Sequence, residues 1–242
     1  MIVEVCANSL ESALNAQKAG ADRIELCAEL AVGGVTPSFG LLQLVKEYIS
    51  IPVNVLIRPR SGDFTYSDLE FEIMKRDVAL CRELGFNGIV SGVLSKGLTL
   101  DYERTKELIA ASRPLEFTFH RAFDWVTDPV ATLRQLQELQ VDTILSSGQQ
   151  NSSVEGMDLL NRLSKEFKDC VIMPGGGIRD TNVVEFKKKG FMAVHLSGIK
   201  FHRTLGHTPQ IAMSSPGFLK DDEIGISDLA TLKEVVRLVK EN

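Results

Sequence analysis

The sequence predicts a (β/α)8 TIM barrel that occupies residues 1–242 as a single domain. Three observations predict it. Eight short, β-branched runs alternate with eight helical stretches, which implies a parallel sheet. The length of 242 residues is close to the ~250 typical of one such barrel. No linker, low-complexity tract or repeat divides the chain. A doubly wound open sheet is the alternative architecture.

The elements follow in order. Ile2–Cys6 reads as the first strand and Ser9–Ala19 as its helix, with Leu10, Ala13, Leu14 and Gln17 on the 3.6-residue period and Gly20 as the stop. Arg23–Cys27 is the second strand, and the second helix lies within Pro37–Tyr48, where Leu41, Leu42, Leu44 and Val45 form a stripe. Val53–Ile57 precedes a helix over Ser67–Leu84, opened by a capping box of Ser67 and Glu70 and ended by Gly85. Gly88–Ser91 and Asp101–Ala111 form the fourth unit. Leu115–Phe119 leads to Pro129–Leu139, with Asp128 as N-cap and Pro129 at the first helical position. Thr143–Ser146 with Val154–Phe167, Cys170–Met173 with Thr181–Lys189, and Ala193–Leu196 with Ser227–Val239 complete the eight. The irregular stretch Arg203–Ile226 reads as a long loop serving as a lid or a subunit contact.

Composition narrows the function classes. The chain is 44% hydrophobic and 24% charged with a net charge of −5, so it has no basic footprint for nucleic acid. No apolar run reaches transmembrane length, and MIVEVCANS lacks the basic and apolar regions of a signal peptide. Four cysteines are too few for a disulfide scaffold, so a reducing cytoplasm with free thiols is expected. No nucleotide cofactor is indicated.

In this fold chemistry gathers where strands end. The first strand ends Glu4-Val5-Cys6 and the second Glu25-Leu26-Cys27. In each, acid and thiol are two residues apart and share a face. If that face is inward, Cys6 and Cys27 can converge on one soft ion, and two thiolates suit Cu(I). Small buried hydrophobes are the commoner fate of free cysteine, so that reading stands beside the metal one. Cys81 and Cys170 read as structural, and the absence of CxxC and HExxH argues against a structural zinc site.

The third strand leads into Arg58-Pro59-Arg60, whose guanidinium forks suit a carboxylate or phosphate. The alternative pairs one arginine with Glu4 or Glu25 and leaves the other on the surface. After the fifth strand, His120 is placed for general acid–base work, with Arg121 and Asp124 either orienting it or pairing with each other; a histidine held in a structural network is the other reading. Ser147-Gly148, Gly176-Gly177, His195 and Ser197-Gly198 end the last three strands. Glycine lets backbone N–H groups approach an anion there, at the usual phosphate position of the barrel; plain tight turns are the alternative.

Six segments in this order, Ala21–Gly40, Ile57–Glu70, Phe117–Asp124, Ser146–Gln149, Gly175–Ile178 and Val194–Gly198, resemble the CutC copper homeostasis proteins. The resemblance runs from residue 2 to about residue 215. It implies a cytoplasmic TIM barrel, often dimeric or of higher order, assigned to copper homeostasis and, in some members, to Cu(I) binding. It places the copper thiols at Cys6 and Cys27, offers the thioether of Met213 in Met213-Ser214-Ser215, and matches a polar mouth of Glu4, Glu25, Arg58, Arg60, His120 and Asp124. Val35 and Ser146 stand where the family commonly has Leu and Thr.

Two functions compete on these residues. One is a copper-handling protein that buffers or delivers Cu(I). The other is an isomerase, epimerase or aldolase of a small anionic or phosphorylated metabolite, with His120, Glu25 or Asp124 moving protons and Glu4, Arg58, Arg60 and the glycine loops holding the anion. A regulatory or scaffold barrel is a third reading.

Overall fold

Eight short strands pair in parallel in the order β7-β6-β5-β4-β3-β2-β1-β8, and a parallel bridge between Gly175 and His195 joins the two ends of the ring. A computed structural model describes residues 1–166, 169–213 and 220–241. The strands are β1 (Ile2–Ala7), β2 (Arg23–Leu26), β3 (Val53–Leu56), β4 (Gly88–Ser91), β5 (Glu116–Phe119), β6 (Thr143–Ser146), β7 (Val171–Pro174) and β8 (Ala193–Leu196). Between and after them run α1 (Leu10–Ala19), α2 (Phe39–Tyr48), α3 (Asp68–Glu83), α4 (Tyr102–Ser112), α5 (Pro129–Glu138), α6 (Met157–Glu166), α7 (Val183–Lys188) and α8 (Leu229–Lys240). This is the expected (β/α)8 barrel, with bounds shifted by a few residues; Phe167, read as the end of the sixth helix, lies outside the described residues.

Local chemistry starts the helices where the sequence places them. Ser67 accepts from the Glu70 N–H at 3.2 Å while the Glu70 carboxylate accepts from the Ser67 N–H at 2.7 Å, which is the expected capping box. Asp128 accepts from the N–H groups of Val130 and Ala131 ahead of Pro129. Gly20 closes α1 at φ +83°, a left-handed conformation that suits glycine.

The α1 stripe differs from the expected one: Ser12, Ala13, Ala16 and Ala19 are buried, while Leu10, Leu14 and Gln17 are only partly covered. The cause is a ribbon that the sequence reading missed. Ile199–Arg203 (β9) and Glu223–Ser227 (β10) pair antiparallel, so a two-stranded base closes the expected loop, whose described residues 204–213 and 220–222 are irregular as read. Ser227 N–H donates to Ser12 Oγ at 3.0 Å and Asn15 donates to the Ser227 carbonyl at 3.0 Å, which makes small and polar residues the right ones for that face.

Alternation along the strands divides the apolar residues. Val3, Val5, Ala7, Ile24 and Leu26 pack in the main core with the helices. Cys6 and Cys27 belong to a separate cluster with Leu56 and Val90, and Leu145, Met173 and Ala193 form a third. The acid–thiol faces of β1 and β2 therefore turn away from the helices, into the barrel. No helix among the described residues is long and apolar enough to cross a membrane.

Backbone contact also fixes the rim. A Cβ on Gly156 would overlap the Ser147 carbonyl oxygen, whereas a Cβ on Gly40 in α2 would meet nothing among the described residues within 4 Å. Gly156→Ala is expected to cost more than ~4 kcal/mol, and Gly40→Ala to be neutral or to stabilise by up to ~1 kcal/mol. Urea denaturation of the two variants checks the contrast.

Candidate functional site

Strand register assembles the floor of the barrel mouth. Glu4 stands opposite Arg23 on β2 and opposite His195 on β8, and Cys6 stands opposite Glu25. Glu4 is fully buried; its carboxylate accepts from Arg23 Nε at 2.5 Å and pairs with His195 Nδ1 at 2.9 Å. Glu25 Oε2 lies 3.7 Å from the same His195 nitrogen and has no hydrogen-bond partner among the described residues. The Cys6 and Cys27 sulfurs are 3.5 Å apart, and Cys6 Sγ is 3.9 Å from Glu25 Oε1.

Burial and charge set the protonation of this cluster. Burial pushes the Glu25 carboxyl up to about 7, against the pull of His195. Burial also opposes charge on His195, but the carboxylates of Glu25 and Glu4 outweigh it and raise its pKa. For Glu4, burial raises the pKa and is outweighed by the hydrogen bond from His195 and the charge of Arg23, so the net shift is downward. The Cys6 thiol is held well above its ordinary value by its contact with Cys27, by burial and by the nearby carboxylates. Ligand atoms of Cys6, Glu25 and His195 all lie within 4.8 Å of one another, the arrangement needed to hold one metal ion.

Above the floor opens a cavity of about 610 Å³, within the size range of small-molecule sites. Cys6, Glu25, Arg58, His120, His195, Gly176, Gly177, Ser197 and Gly198 line it. Residues read at the ends of six strands, β1, β2, β3, β5, β7 and β8, are thus gathered in one cup.

Other residues have different surroundings from those expected. Arg58 is buried, and its Nη atoms donate to the carbonyls of Val32, Gly34 and Gly62 at 2.7–2.9 Å, so its fork is spent on backbone. Arg60 pairs with Glu70 at 2.6 Å and Asp63 at 3.2 Å, and is absent from the cavity lining. His120 accepts from the Ala122 N–H at Nδ1 and packs on Phe64; burial and the charge of Arg58 push its pKa down to about 3, which keeps the ring neutral. Asp124 pairs with Arg121 at 2.8 Å and accepts from Ser146 Oγ at 2.6 Å, Ser147 Oγ at 2.9 Å and Gln149 N–H at 3.2 Å. Its oxygens are filled by the rim, and Ser147 and Gly148 lie in that network, outside the cavity lining. Met213 sits beyond β9, 91% exposed, and is not brought to the thiols; Ser214 and Ser215 lie outside the described residues.

Sequence reasoning missed Arg23. It runs through the barrel interior from Glu4 to Glu116 on β5, at 3.3 Å, and to the Met173 sulfur on β7, at 3.9 Å. The signal was present: Arg23 alternates with Glu25 and so shares its inward face.

The model of the CutC family matches residues 1–200. The copper homeostasis protein cutC homolog of Homo sapiens is 42% identical over an alignment of 248 positions that covers 99% of this chain and 89% of the relative. The family protein CutC of Salmonella typhi is 45% identical over 196 residues, 81% of this chain and 76% of its own. The CutC crystal structure from Streptococcus agalactiae superposes with a TM-score of 0.78 at 33% identity, covering 81% of this chain and 98% of that one. Identity at this level over this much of the chain leaves one assignment: the chain belongs to the CutC family.

Proposed function

We propose that the chain handles copper, binding Cu(I) through Cys6 and Cys27 on the floor of the barrel mouth and buffering or delivering the ion. The observation that carries this reading is the pair of free thiols 3.5 Å apart beside Glu25 and His195. With metal–sulfur bonds of about 2.3 Å, as in zinc thiolates, that separation closes a bent S–metal–S angle of about 100°. Such a bend leaves room for a further ligand, which Glu25 or His195 can supply. Thiolates are the soft donors that select Cu(I) over hard ions. Binding releases the thiol protons, and the ion's positive charge offsets the burial and nearby carboxylates that hold the Cys6 proton in place. The relatives named for copper homeostasis support the same reading.

A Cu(I) competition titration against a chromogenic chelator, under reducing and oxygen-free conditions, tests it. One Cu(I) per chain is expected. The Cys6→Ala, Cys27→Ala double variant should lose more than the roughly 10–100-fold that removing an outer-shell partner costs. Unchanged affinity in that variant would rule out the thiol pair.

A further inference from the structure

We propose that the mouth also binds a small phosphate monoester of a polyhydroxylated compound, its phosphate held by the loops after β7 and β8 beside Arg179. This inference does not rest on the copper reading.

The loops supply the donors. Gly177, Ile178, Ser197 and Gly198 line the cavity, and among the described residues their N–H groups have no hydrogen-bond partner. Gly177 and Gly198 have φ of +85° and +56°. Left-handed residues next to ordinary ones turn successive N–H groups toward a common point, the arrangement that cradles oxyanions.

Charge acts at the same rim. Arg179 lines the cavity, is exposed, and its guanidinium has no partner among the described residues. Arg121 gives Nε to Asp124 and one Nη to Ser147, which leaves its other Nη beside Gly176. Lys200 is held by Asp228 at 2.7 Å, and Asp180 is an opposing carboxylate at the rim. Four cationic side chains thus line the cavity against the two carboxylates Glu25 and Asp180.

The shape of the donor set selects the anion. A planar carboxylate is met by guanidinium forks alone, and at this rim Arg179 is the one fork left free among the described residues, the buried Arg58 being committed to three carbonyls. Backbone N–H groups arriving from two loops suit a tetrahedral oxyanion instead.

A second observation describes the rest of the ligand. Glu25 Oε2, Arg58 Nε and His120 Nε2 are buried atoms without partners among the described residues, on three side chains each only 5% exposed, and all three residues line this cavity. Unmet donors and acceptors together call for groups that both donate and accept, and hydroxyls do both.

Titration calorimetry with inorganic phosphate, ribose 5-phosphate and ribose tests the proposal. Ribose 5-phosphate should bind saturably, inorganic phosphate should compete with it, and ribose alone should not bind. Arg179→Glu should weaken both phosphate probes by on the order of tenfold or more, and Arg179→Gln by less. Arg179 is exposed, so both variants should fold. The Cys6→Ala, Cys27→Ala variant should bind ribose 5-phosphate as the parent does, and Arg179→Glu should keep its Cu(I) affinity, so the two sites can fail independently. Absence of saturable phosphate binding, or binding unaffected by Arg179→Glu, overturns the site. Binding of inorganic phosphate alone overturns the polyhydroxylated ligand.

Discussion

Glu4→Gln is expected to lose about 3 kcal/mol of stability, a large share of what holds a domain together. Glu4 is fully buried, and its charge answers both Arg23 at 2.5 Å and His195 at 2.9 Å. A glutamine keeps the volume but removes the charge and puts an N–H₂ where an acceptor is needed. Among the described residues Arg23 then keeps as a charged partner only Glu116, which is more than half exposed and 3.3 Å away. Removing one partner of a buried pair is costly because the other is left charged in a medium that cannot solvate it. Adding Arg23→Met to Glu4→Gln should recover part of the loss, since no orphaned guanidinium remains. Urea denaturation of the parent, both single variants and the double variant checks it. A Glu4→Gln loss below about 0.5 kcal/mol, or strictly additive losses in the double variant, would show that the pair does not hold the floor.

The barrel was legible because its signals are local. Ser67 with Glu70, Asp128 with Pro129, and Gly20 mark helix ends by chemistry acting over three or four residues, and each acts as read. The miss at 199–227 has the same physical origin in reverse. Ile199, Phe201, Ile224 and Ile226 alternate with polar residues as strand residues should, but the paired segments are five residues each and far apart in sequence. Their outer positions face water, with Phe201 70% exposed, so burial gives little sign of pairing. The mistaken stripe on α1 follows from that miss, because only the ribbon explains a buried Ser12.

The floor of the site was half legible for another reason. Alternation in one strand tells which residues share a face, and it placed Glu4 with Cys6 and Glu25 with Cys27. Register between strands is not written in either strand. That Glu4 meets His195, 191 residues away, depends on how β8 slides against β1, so the sequence reading gave His195 only an anion role. Arg58 misled because a strand-end arginine looks the same whether its fork meets a ligand or loop carbonyls. Asp124 and Arg121 pair with each other, one of the two arrangements expected, and the serines of β6 and its loop complete the set.

The pH dependence of stability should show the floor from the other side. Glu25 has a folded pKa of about 7 against an ordinary 4.5, so the folded chain keeps a proton that the unfolded chain releases. Stability from this group is fully present below about 4.5 and is lost as pH rises through about 7, a change on the order of 3 kcal/mol. His195 is shifted upward too, and a raised histidine has the same sign: its contribution is present below its ordinary 6.5 and lost as pH climbs through the folded value. The two groups share one cluster, so they titrate as a pair and their effects do not simply add. Glu4 works in the opposite sense. Its lowered pKa gives stability above its ordinary 4.5 that disappears as pH falls through the folded value. Maximum stability is therefore expected on the acid side of neutrality, with a decline of about 3 kcal/mol between pH 5 and pH 8. Glu25→Gln should flatten that decline and leave the variant more stable than the parent at pH 8. Urea denaturation of both proteins across the range measures it. A parent as stable at pH 8 as at pH 5, or a variant with an unchanged slope, would mean that the Glu25 carboxyl is solvated or already paired, and that the floor beneath the thiols is far more open than its geometry implies.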